Sequence, residues 1–126
     1  MLFAGNGTLG PGGERRDTWL YDGTSWTDAS PEVLPIARDH VAMAYHAASR
    51  RVVVFGGYDG DRTNEMLEWD GNQWLPSPST GVSPRLFPVL ASDAAAGRLL
   101  LFGGFADSPF NELWSFECDA WKRLSP

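Results

Sequence analysis

Few side chains in this sequence have the types and spacing that chemistry requires. Asp59-Gly60-Asp61, with Asn64 and Glu65 beyond, offers the oxygen donors of a calcium loop, but Asp70 stands where a bidentate glutamate would be needed. A hydrated turn is the simpler expectation, and no metal site is assigned. His40 and His46 lie six residues apart on an alternating pattern, so both are expected on one side of a strand. Two imidazoles without a third ligand do not hold a metal. Cys118 is the only cysteine and has no histidine-partnered nucleophile pattern around it, so a turn position is expected. Asp22, Asp70 and Glu117 recur once per unit of sequence, as turn acceptors would and a catalytic carboxylate would not. No catalytic residue and no cofactor is called for.

Composition narrows the class. The 126 residues suit one small domain, and a hydrophobic content of 43% suits a folded one. The formal net charge of −6 argues against a nucleic-acid backbone or an anionic membrane as partner. No apolar run approaches the ~20 residues of a membrane span. Met1 leads directly into an apolar strand pattern with no basic region or cleavage signal, so no secretory signal is read; the compartment stays unknown, with a soluble, cytoplasmic chain as the default. Asn6-Gly7-Thr8 matches a glycosylation acceptor but reads more simply as an Asn-Gly turn.

These residues are positioned by a repeat. Val52-Val53-Val54-Phe55-Gly56-Gly57 returns as Leu99-Leu100-Leu101-Phe102-Gly103-Gly104, with an echo at Met1-Leu2-Phe3-Ala4-Gly5. Each is a strand apolar on both faces that runs into glycines. The two Phe-Gly-Gly units are 47 residues apart, as are Arg38 and Arg85, while Trp26, Trp74 and Trp121 are spaced by 48 and 47. Three anchors on one period define units 1–30, 31–78 and 79–126, the first lacking its opening strand. Each complete unit reads as four short antiparallel strands. The expected strands of the second unit are 38–46, 52–56, 64–70 and 73–75. Those of the third are 85–92, 99–103, 111–117 and 120–124, with Pro88 inside the first of them. The first unit contributes 1–5, 17–22 and 25–28, which makes eleven strands in all. A four-stranded sheet of this size cannot bury two apolar faces alone, but stacked units can.

The pattern resembles kelch repeats. It has an apolar strand ending in diglycine, an acidic or amide residue before a strand with paired aromatics, and a closing tryptophan. Phe55, Gly56, Gly57, Trp69 and Trp74 carry it in the second unit, Phe102, Gly103, Gly104, Trp114 and Trp121 in the third, and Trp19 and Trp26 in the first. The resemblance implies an all-β fold of kelch-type β-propeller blades, about 2.75 of them, which is too few to close a ring. A piece of a longer propeller, or a subunit whose copies self-associate, is expected. In that family the proline-bearing linker and the loop after the diglycine share one face. The resemblance therefore implies a surface made of Arg38, Arg85, Tyr58, Asp59, Asp61, Arg62, Phe105, Asp107 and Phe110, for a protein or peptide partner. Arginine forks and aromatics suit carboxylate recognition. The other reading is that each arginine fixes its own unit through a carboxylate or carbonyl. The resemblance also allows a carbohydrate-directed enzyme or a carbohydrate-binding role, although the Tyr-Cys constellation of the family's copper oxidases is missing around Cys118.

Overall fold

A computed structural model describes residues 1–7 and 15–125. Among them there is no helix, hence none long and apolar enough to cross a membrane. Eleven strands form three antiparallel sheets. The first holds β1 (Leu2–Phe3), β2 (Thr18–Tyr21) and β3 (Trp26–Asp28). The second holds β4 (Ala42–His46), β5 (Arg51–Phe55), β6 (Met66–Trp69) and β7 (Trp74–Ser77). The third holds β8 (Val89–Asp93), β9 (Arg98–Phe102), β10 (Leu113–Glu117) and β11 (Ala120–Ser125). Strands pair in sequence order within each sheet, so neighbours in sequence are neighbours in space.

The sheets meet through two apolar cores. One unites Phe55, Met66 and Val53 of the second sheet with Leu99, Leu101, Trp114 and Phe116 of the third. The other unites Phe3 of the first sheet with Val54, Leu67, Trp69 and Trp74 of the second. Side chains alternate across a strand, so β5 sends Val53 and Phe55 into one core and Val54 into the other. That strand is covered on both faces, as its unbroken apolar run predicts. β9 departs from this expectation. Leu99 and Leu101 are buried, but Phe102 is half exposed, because no fourth sheet covers that side among the described residues.

The closing tryptophans carry the contact between sheets. Each stands directly across from an aromatic in its own hairpin: Tyr21 and Trp26, Trp69 and Trp74, Phe116 and Trp121. Trp74 then reaches back to Phe3, with ring centroids 4.5 Å apart, and Trp121 reaches back to Phe55 at 5.5 Å. The two tryptophan contacts differ in a hydrogen bond. Trp74 Nε1 donates to Thr18 Oγ1 at 2.9 Å, and Thr18 sits opposite Phe3. Met66 holds the corresponding place opposite Phe55, and Trp121 Nε1 is buried without a partner among the described residues.

Several strands start later than their sequence patterns suggest. β4 begins at Ala42 and β8 at Val89, beyond Arg38 and Arg85 and just after Pro88. The cause is a left-handed corner, with φ of +56° at His40 and +52° at Phe87. It breaks the alternation, so His40 and His46 do not share a side. His40 is exposed, bonds Asp39 and meets the Phe87 ring edge-on at 4.3 Å. His46 is buried against Ser49 Oγ and the Gly97 carbonyl.

The hairpin turns behave as their sequences require in two units of three. Asp22 Oδ1 accepts the backbone N–H groups of Thr24 and Ser25, and Asp70 Oδ1 those of Asn72 and Gln73. These bonds, led by Ser25 and Gln73, hold both carboxyls below their ordinary value. Glu117 differs and accepts from Ser115 Oγ. Its turn is made by Cys118 and Asp119, both with positive φ, and that geometry closes a two-residue hairpin without an acceptor.

Gly57 tests how closely the backbone packs. Its φ is +100°, and a Cβ there would lie 2.4 Å from the Asp39 carbonyl oxygen. Gly60 has φ of +113° with open space around it. In urea denaturation, Gly60→Ala is expected to cost about 1 kcal/mol from backbone strain. Gly57→Ala should cost at least about 2 kcal/mol more, because the bridge between Asp39 and Tyr58 must also open. Equal losses would refute the close-approach role.

Candidate functional site

The loops that leave β5 and β9 after their glycines run beside the linkers that lead into β4 and β8. An isolated bridge ties Tyr58 to Asp39 and another ties it to Arg62. In the third sheet Phe105 is tied in the same way to Leu86 and Pro109. Tyr58 and Phe105 are the first residues past their diglycines, and both rings stay substantially exposed. Arg62 reaches from the second sheet's loop to Asp107 of the third, Nη1 to Oδ1 at 2.9 Å. That hydrogen bond and the Asp107 charge raise the already high pKa of Arg62. Asp59 and Asp61 close the tip of the Tyr58 loop, where the Asp59 N–H donates to the Asp61 carbonyl. Of the residues expected on one face, Tyr58, Asp59, Asp61, Arg62, Phe105 and Asp107 are thus gathered on two adjoining loops.

Arg38 and Arg85 are not part of that surface. Both side chains are fully buried, which corrects the expectation of exposed guanidinium forks. Arg85 Nε donates to the Ser83 carbonyl, Nη1 to the Gly103 carbonyl at 2.8 Å, and Nη2 to Glu112 Oε2 at 3.0 Å. Phe110 lies beneath the guanidinium, 3.9 Å from its carbon to the ring centroid. Phe110 is therefore a support for Arg85. Arg38 bonds Glu65 in the same manner, while its Nε and Nη1 have no partner among the described residues.

The backbones of these arginines hold the preceding sheet. Gly57 N–H donates to the Arg85 carbonyl at 3.0 Å, and Arg85 N–H donates to Thr63. Gly5 N–H donates to the Arg38 carbonyl at 2.9 Å, and Arg38 N–H donates to Arg15. Each arginine therefore clasps one sheet by its main chain and the next by its side chain. Sequence reasoning missed Glu65 and Glu112 in this role. The signal was present: both stand 27 residues after their arginine, directly behind Asn64 and Asn111.

A separate cleft of about 700 Å³ opens between residues 29–33 and the β6–β7 hairpin. Ser30, Glu32, Asn72 and Gln73 give it polar walls, and Trp69 and Trp74 form its apolar floor. No group of three metal-ligating side chains occurs among the described residues. Asp61 Oδ1 instead accepts the Arg62 N–H, and Asn64 donates to the Val82 carbonyl. No protein-family model and no curated protein matches the chain.

Glu112 also accepts from Trp114 Nε1, and that bond, followed by those of Arg85 and Arg123, holds its carboxyl below the ordinary value of 4.5. Its contribution to stability is present above pH 4.5 and is lost as pH falls through the lowered value. Glu112→Gln should flatten the acid limb of a stability–pH curve in that window. At neutral pH, Arg85→Met is expected to cost about 3–5 kcal/mol, because buried partners are left unpaired. Arg62→Ala, at a surface pair, should stay within about 1 kcal/mol. A cheap Arg85→Met would remove the arginine clasp as a structural element.

Proposed function

We propose that this chain is a kelch-type interaction module that presents its loop face to a protein or peptide and performs no catalysis of its own. The observation that carries this reading is the pair of exposed rings, Tyr58 and Phe105. Each projects from a main chain held by backbone bridges on both sides, so little backbone entropy remains to be lost on binding. Arg62 and Asp107 lie on the same face, and an exposed pair contributes only about 0–1 kcal/mol. A partner's carboxylate can replace Asp107 on Arg62 at little cost, which suits an extended segment carrying an apolar side chain and an acidic one. The buried arginines support these loops from behind and do not touch the partner.

The cleft favours a second reading, a saccharide or other small polar ligand. Its size falls in the range of small-molecule sites, about 300–1,000 Å³, and its amides and carboxylate match hydroxyl-rich chemistry.

Selection from a displayed peptide library against the purified chain separates the two. Selected peptides should lose at least about tenfold in affinity on Tyr58→Ala with Phe105→Ala, with thermal unfolding unchanged. They should be indifferent to Asn72→Ala with Gln73→Ala. Failure to recover any peptide sensitive to the ring changes would overturn the interaction reading. For the second reading, a glycan array should return a saccharide whose binding disappears in the Asn72 and Gln73 variant, and an empty array would end it.

A further inference from the structure

At both junctions between sheets, the closing tryptophan of the later sheet covers the phenylalanine of the earlier one. Covered, Phe55 is 0% and Trp74 8% exposed. The same two parts stand open at opposite ends of the stack. Trp26 of the first sheet is 52% exposed and stacks on its hairpin neighbour Tyr21, as Trp74 stacks on Trp69. Phe102 of the third sheet is 51% exposed, at the place where Phe55 receives Trp121. The surroundings continue the match. Leu2 is paired with Trp19 as the buried Val54 is with Leu67, and it is 50% exposed. Val89 is paired with Phe102 as the buried Ala42 is with Phe55, and it is exposed beside Phe102. One end is thus a plug and the other its socket, each in the geometry that the internal junctions already use.

We infer that two copies of this chain associate head to tail, with Trp26 of each seated on Phe102 of the other. The contact is heterologous, because plug and socket are different surfaces, and such contacts either close into a ring or run on as a filament. Each copy brings three sheets. Rings of stacked sheets close with about four to eight members, which two copies satisfy with six, two of them the three-stranded sheet of each copy, and three copies exceed with nine. The inference goes beyond the loop face and does not depend on what that face binds.

Sedimentation velocity of the 126-residue chain across about 0.1 to 100 μM tests it. The wild-type chain should pass from monomer to dimer. Trp26→Ala and Phe102→Asp should each raise the dissociation constant at least about 100-fold, since each removes both junctions of the dimer. An equimolar mixture of the two variants should recover a dimer weaker than wild type, because one intact plug then meets one intact socket. Leu2→Glu and Val89→Glu form a second pair with the same logic, should either ring variant lose its unfolding transition. A chain that stays monomeric throughout overturns the proposal. So does a dimer that resists Trp26→Ala but not Phe102→Asp, which would mean that two sockets face each other. Variants that never recover on mixing overturn it as well.

Discussion

A guanidinium buried between stacked sheets is the interaction on which the other features depend. Burying a charge is costly unless it is paired and its donors are used. Arg85 meets that condition with two carbonyls, Glu112 and the Phe110 ring, all from the third sheet and its linker. Its main chain meanwhile bonds Gly57 and Thr63 of the second. The charge therefore fixes the relative placement of two sheets. It also requires the glycines: a Cβ on Gly56 would sit 2.9 Å from the Arg85 carbonyl oxygen. The left-handed turn at Phe87 and the late start of β8 follow from leading the chain out of this clasp and into a strand.

Hydrophobic burial gives the clasp something to align. β5 shares its residues between two cores, so a slip of one residue would exchange its two apolar sets. Along the stack the tryptophans act in one direction only, each covering a phenylalanine behind it. The structure is polar in this sense, and its two ends differ in chemistry as well as position.

Much of this was legible in the sequence. The period, the eleven strands, and the turn roles of Asp22 and Asp70 follow from spacing and residue type, because hairpins and turns are set by neighbours within a few positions. The exposure of Arg38 and Arg85 was not legible. An arginine at the start of a strand pattern looks the same whether its partner is another molecule or a glutamate 27 residues along. The expected surface mixed two kinds of residue for that reason: Tyr58, Arg62, Phe105 and Asp107 on the outside, and the buried Arg38 and Arg85, with Phe110 half-buried against Arg85. The corner at His40 was hidden for a different reason. A histidine with positive φ leaves no mark on hydrophobic alternation, so a strand reads straight through it. Coverage of β9 depends on a neighbouring sheet, and a leucine run does not record whether its neighbour is present.

The difference between the two tryptophan contacts has a consequence for the identity of the sheets. Units so alike could mispair during folding, a hazard common to repeat proteins. Thr18 gives the indole of Trp74 an acceptor that Met66 withholds from Trp121. A tryptophan seated at the wrong junction would lose that bond or leave the threonine hydroxyl unused. One hydroxyl thus serves as an address: it marks which sheet belongs beside which, a discrimination that apolar packing alone would make only weakly.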